Sequence, residues 1–148
     1  MILTAHQPVY LPWLGLFHKI ALADLFIEYD DVQYVAEDWV SRNKILGPNG
    51  PILLTVPRLR AGRFGQKINE TEIDNSAPWG RKHWSSLRHS YAKAPHFGRY
   101  ADFLEDMYAR EWRLLVDLNR YMLRWLLLEL GINRFSCRLS ESGLRMER

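Results

Sequence analysis

The chain has a single cysteine, Cys137, so no disulfide can form within it. That excludes a fold held by internal cross-links, and a lone thiol is in keeping with a reducing compartment. Next to Phe135 it reads as a small core residue. Charge of one sign is also scarce: Lys and Arg number 20 against 17 acids, a formal charge of +3. Nucleic-acid binders gather basic residues on one face. Here they are scattered, apart from Arg58–Arg63, Arg81–His83 and the Arg-rich C-terminus, so no nucleic-acid partner is expected. No apolar run is clean enough for a bilayer: the best, 114–130, is broken by Asp117, Asn119, Arg120, Arg124 and Glu129. No basic segment followed by an apolar run opens the chain, so no secretory signal is visible and a cytoplasmic location is expected. The sequence has no internal repeat, no G-x-x-x-x-G-K-[ST] or G-x-G-x-x-G loop, no G-x-S-x-G elbow and no zinc-type Cys/His spacing. No cofactor and no metal is expected.

What is plentiful is aromatic surface with a polar atom attached, six Trp and seven Tyr in 148 residues. With 47% apolar residues the chain can bury a core, and the buried indoles and phenols will need partners. Residues 2–5 (ILTA) read as a buried strand, 12–23 as a helix opened by Pro12, and 24–29 (DLFIEY) as a second strand. Strand, helix and strand in thirty residues is a βαβ unit with parallel pairing. Segment 30–50 is irregular and ends in the turn GPNG. A strand follows at 51–56, a mobile basic loop at 57–66, and a half-exposed strand at 67–73, where apolar and polar residues alternate. Helices are expected at 78–92, capped by Asn75 or Ser76, at 97–108, and at 111–130 before Gly131. A last strand is read at 134–139. The fold class is therefore α/β: an N-terminal βαβ unit with a small parallel or mixed sheet, then a mainly helical C-terminal half. Residues 1–139 form one domain and 140–148 a frayed or truncated tail.

The stretch AHQPVYLPWLGLFHKI, residues 5–20, holds more chemistry than a strand-to-helix connection needs. Ligands of open α/β sheets bind beyond the carboxyl ends of the strands, where His6 and Gln7 meet Asp30, Asp31 and Gln33. A carboxylate bonded to an imidazole prepares a general base. His6, Asp31 and Asp30 are thus the catalytic candidates, and Gln7, Tyr10, Trp13 and Gln33 line the same crevice. Two further clusters offer binding groups. Arg42 and Asn43 follow Trp39, and arginine's planar fork suits carboxylate or phosphate. Arg81, Lys82, His83 and Trp84 lie early in a helix, where backbone N–H groups favour anions and the dipole disfavours cations; a bound anion would resolve the conflict of three basic residues there, as would acids elsewhere in the chain.

The run His6-Gln7-Pro8-x-Tyr10-x-Pro12-Trp13-x-Gly15-x-Phe17-x-Lys19-Ile20 closely resembles the opening of WbqC-like proteins. The resemblance continues through Ala23-Asp24-x-Phe26, Asp30-Asp31-Val32-Gln33-Tyr34, Arg42-Asn43, Leu54-Thr55-Val56-Pro57, Lys82-His83-Trp84 and Lys93-Ala94-Pro95, covering about residues 3–132. It implies a bacterial protein of surface-polysaccharide (O-antigen) biosynthesis, with glycyl, aminoacyl or acyl transfer to a sugar suggested for one branch. The partner would be a sugar, a sugar-nucleotide or an acyl donor. Members of that family continue with a second α/β portion, so this short chain is expected to lack one wall of its cleft, or to complete it as a homo-oligomer. A nucleotidyltransferase and a non-catalytic carbohydrate-binding or assembly module are the competing readings. Against the first stands Tyr10-Leu11-Pro12-Trp13, where an H-x-G-H segment belongs.

Overall fold

Parallel strands cannot be joined by a tight turn, so the chain must leave the sheet and return. β1 (Leu3–His6) and β2 (Leu25–Glu28) run parallel, Leu3 opposite Leu25 and His6 opposite Glu28. α1 (Leu14–Ala21) is the crossover between them. It starts two residues later than the sequence suggests, because Trp13 is extended at the N-cap, and Pro12 stays in the preceding loop. Leu16, Phe17 and Ile20 of α1 pack on Phe26 of β2 together with Val9 and Leu123. β5 (Phe135–Arg138) joins the other edge of β2, also parallel, and the sheet order is β1-β2-β5. This is the α/β architecture expected, in a computed structural model that describes residues 1–36 and 38–143.

Between β2 and β5 lies most of the chain. β3 (Arg42–Gly47) and β4 (Gly50–Thr55) form an antiparallel hairpin closed at Gly47 and Gly50, the latter at φ +120. The sequence of 42–47 shows no strand pattern because Arg42, Asn43 and Lys44 are polar; of the strand's residues only Ile45 and Gly47 are buried. The strand expected at 67–73 is instead a 3-10 turn, Ile68–Glu70. Lys67 N–H donates to the Glu70 carboxylate at 3.2 Å, Glu70 N–H donates to the Lys67 carbonyl at 3.1 Å, and the two bonds hold a turn. Isolated bridges, Gln33 with Lys67 and Glu72 with Leu114, replace a ladder.

The helices are α2 (Trp79–Tyr91), α3 (Phe97–Ala109) and α4 (Leu115–Glu129), with Gly131 at φ +67 just past the last. Neither Asn75 nor Ser76 caps α2, whose N-cap is Pro78. Asn75 is engaged elsewhere, donating to the Trp112 carbonyl at 2.9 Å and accepting from Trp79 Nε1 at 3.0 Å. Gly80 lets α2 and α3 touch: a Cβ there would lie 2.5 Å from the Tyr108 carbonyl oxygen. α5 (Leu139–Ser142) is one turn, and residues 144–148 of the expected tail lie outside the described residues. No described helix is long and apolar enough to cross a membrane.

Two cores result. The smaller joins the sheet to α1 and α4. The larger joins the hairpin to α2, α3 and α4 through Ile45, Leu54, Trp79, Leu87, Tyr108 and Leu118. Each fully buried aliphatic or aromatic side chain in them contributes roughly 1.5–3 kcal/mol.

Candidate functional site

The loop from Gln7 to Trp13 lies on the seam between the cores. Val9 enters the smaller core and Tyr10 the larger. Leu11 stands at φ +49, a left-handed conformation uncommon for a leucine. Its side chain turns into an apolar cleft of about 410 Å³ with Leu14, Leu104, Met122 and Trp125. The loop makes no ladder, so its backbone carbonyls need other donors. Buried Asn119 of α4 donates to Pro8 O at 3.3 Å and Val40 O at 2.8 Å. Asn43 of β3 donates to Leu11 O at 2.5 Å and Tyr10 O at 3.4 Å. Two amides thus hold a strained loop to α4 and to the hairpin.

His6 ends β1 and is half-buried. Its Nδ1 lies 2.8 Å from the Gln7 carbonyl oxygen, which can only accept, so Nδ1 carries a proton and the tautomer of the neutral ring is the one with its lone pair on Nε2. Nε2 has no partner among the described residues. The edge of the imidazole meets Trp13, centroids 5.2 Å apart. Gly15 leaves room for that indole: a Cβ there would come within 2.9 Å of Trp13 Nε1. Trp13, Trp39 and Asn43 line a cleft of about 270 Å³, both indoles more than 40% exposed. Arg42 lies over the Trp39 ring at 5.9 Å. His6, Gln7, Trp13, Arg42 and Asn43 are therefore neighbours around one loop.

Other candidates are placed elsewhere. Asp30 is buried, and its two oxygens accept from Ser140 N–H at 3.0 Å and Ser140 Oγ at 2.7 Å, pinning β2 to α5. Asp31 is exposed and paired with Lys67 at 2.5 Å. Neither carboxylate touches His6; the acceptor on its Nδ1 is the Gln7 carbonyl. Gln33 is exposed beside Lys67. Lys82 points out of α2 and His83 into the core. There His83 Nδ1 lies 2.8 Å from Tyr10 Oη, which lies 2.5 Å from Tyr108 Oη. Burial raises both phenol pKa values, that of Tyr10 well above its usual 10. Burial also lowers His83 to about 4, the Thr55 backbone pulling the other way. At neutral pH the imidazole is uncharged. With its proton on Nε2, toward Thr55, Nδ1 accepts from Tyr10, and Tyr10 accepts from Tyr108. Tyr10 and His83 are each other's partners.

A group that sequence reasoning passed over stands in the same row as His6. His6, Glu28 and Arg138 are register partners across the sheet, so their side chains share a face. Glu28 is buried and lies 2.8 Å from Arg120 Nε of α4, while Arg138 pairs with Asp117 and Glu141. Burial pushes the Glu28 carboxyl up to about 7, with Arg124 and Arg138 pulling it back. The touching Arg120 guanidinium acts in the same downward sense. The available signal was one acid inside the apolar strand LFIE, followed after ninety residues by an arginine on the buried face of a helix. Among the described residues no group of three or more His, Cys, Asp or Glu is arranged to hold a metal.

The model of the WbqC-like protein family matches residues 7–147, nearly the whole chain. The chain belongs to the WbqC-like family. It is 43% identical over 137 residues to the uncharacterized protein Rv1507c of Mycobacterium tuberculosis (strain ATCC 25618 / H37Rv), an alignment covering 92% of this chain and 58% of that protein. The chain thus spans less than two thirds of that relative's length. No solved structure matches it. The first residues matched, from Gln7 to Trp13, are the loop that bridges two cores and ends at the exposed Trp13.

Proposed function

We propose that this WbqC-like protein is a group transferase, moving an acyl or aminoacyl group onto a sugar for bacterial surface polysaccharide. The observation that carries the reading is His6: its Nδ1 is occupied by the Gln7 carbonyl, its Nε2 is left basic, and it stands at a strand's carboxyl end beside an exposed indole. Nε2 takes the proton of the acceptor amine or hydroxyl. The acceptor's nitrogen or oxygen then attacks the donor's carbonyl carbon. A C–N or C–O bond forms, the bond to the leaving group breaks, and the imidazolium returns the proton to the leaving group. Trp13 and Trp39 hold the sugar ring, Arg42 meets a donor anion, and Asn43 fixes the loop that carries the base. Asp30 and Asp31 serve as braces at the end of β2.

The test is single-turnover transfer from acyl-CoA thioesters and activated amino acids to amino sugars, with wild type and His6→Ala. Loss of a general base costs about 10²–10⁴-fold in rate. The expected result is a single-turnover rate lowered on that scale with an unchanged melting temperature, since His6 is half-buried and its side chain makes one local hydrogen bond. Equal turnover by the variant refutes His6 as the base, and sugar binding without turnover by either protein refutes the transferase.

A further inference from the structure

Five arginines on this surface are paired with acids. Arg63 and Arg113 pair with Glu72, Arg99 with Glu129, Arg110 with Asp106, and Arg138 with Asp117 and Glu141. On the outer face of α2, Arg81, Arg88 and, just past the helix, Lys93 have no acidic or hydrogen-bonding partner among the described residues. All three line one groove of about 1060 Å³, whose opposite wall is the hairpin tip at Gly47 and Pro48. Its acid, Glu105, already accepts from Trp84 Nε1 at 3.2 Å.

The spacing is informative. Arg81, Ser85 and Arg88 recur at i, i+4 and i+7, which is one stripe of a helix. Arg81 and Arg88 are two turns apart, about 10.5 Å along the axis, so both long side chains reach the space above Ser85. Trp84 adjoins the stripe and is held in place by stacking on Phe97, centroids 5.9 Å apart and planes 13° off parallel. Two planar forks with a hydroxyl between them suit two linked phosphates, and a fixed indole alongside suits a planar ring. A nucleic-acid strand carries a charge every 3.4 Å or so of rise, and would need a longer run of cations than two forks and a lysine.

We propose that this groove binds a nucleoside diphosphate, its phosphates between Arg81 and Arg88 and its base against Trp84. Of the cluster Arg81-Lys82-His83-Trp84 that the sequence pointed to for an anion on α2, the groove is lined by Arg81 and Trp84 and not by Lys82 or His83. It does not rest on the reaction assigned to His6 and binds whether or not that residue turns over.

Isothermal titration of the full chain tests it, with ADP and UDP, with pyrophosphate, and with a single-stranded oligonucleotide. Arg81→Ala and Arg88→Ala change exposed side chains, so both fold, and Lys44→Ala removes an exposed cation outside the groove. Losing a charge-assisted fork raises Kd about tenfold. The expected result is a diphosphate Kd raised on that scale by each arginine variant and unmoved by Lys44→Ala, with pyrophosphate weaker than ADP or UDP. Trp84→Leu brings the nucleotides down to the level of pyrophosphate. No binding, arginine variants that bind as wild type, nucleotides no tighter than pyrophosphate, or preference for the oligonucleotide each overturns the proposal.

Discussion

Replacing His83 with phenylalanine removes the terminal base of the buried chain Tyr108–Tyr10–His83, and with it a pH dependence of stability. Burial lowers the imidazole from 6.5 to about 4 in the folded protein. Between those values the unfolded chain binds the proton and the folded one does not, so stability is full above about 6.5 and falls as pH drops toward 4. Two and a half units at 1.36 kcal/mol each set a ceiling of about 3 kcal/mol, and about 2–3 kcal/mol is lost by pH ~4.5. The assay is urea unfolding of wild type and His83→Phe at about pH 7.5 and about pH 4.5. Other groups titrate in both proteins and cancel in the difference. The variant will be less stable at pH ~7.5, because Tyr10 Oη loses its acceptor, but its stability will fall by about 2–3 kcal/mol less on acidification. Equal falls in the two proteins would refute the buried neutral imidazole.

Two further outcomes follow from the contacts around the loop and the sheet edge. Asn43→Ala leaves the Tyr10 and Leu11 carbonyls without their donor; the expected cost is about 1–3 kcal/mol, with faster amide exchange at Leu11 and Trp13, and unchanged exchange there would show that Asn43 does not hold the loop. Arg120→Met strands the buried Glu28 carboxylate, a loss of about 3–5 kcal/mol at alkaline pH, where that carboxyl is ionised. Burial already raises the folded carboxyl to about 7 and the loss of Arg120 raises it further, so the folded variant takes up its proton first and the deficit shrinks as pH falls through about 7; a deficit independent of pH in chemical unfolding would sink this assignment.

The βαβ opening was legible because its signals are local: apolar tetrapeptides, a 3.6-residue stripe at Leu16 and Ile20, and a connection too long for a hairpin. The three long helices and Gly131 were legible for the same reason. The strand at 42–47 was not, since three polar residues precede Ile45 and the pairing partner lies across a turn. The alternation at 67–73 misled because Ile68 is buried from a 3-10 turn and Ile73 from an isolated bridge to Arg58, and among the described residues no strand is aligned to extend them into a ladder.

The site divides along the same line. Residue types and spacing by themselves marked His6, Gln7, Trp13, Arg42 and Asn43 as chemistry-bearing, and the structure gathers them around one loop. Composition cannot say which polar group meets which, and that was decided by tertiary contact. Tyr10 and His83, 73 residues apart, satisfy each other in the core. Asp30 and Asp31 are bound to Ser140 and Lys67 instead of to the histidine. Glu28 becomes notable only once Arg120 of α4 is laid across it. Local sequence determines whether a segment is strand, helix or turn, because backbone preference and periodicity act over a few residues. Which buried polar atoms pair is settled only when distant segments pack and exclude water, since an unpaired one then costs too much to keep.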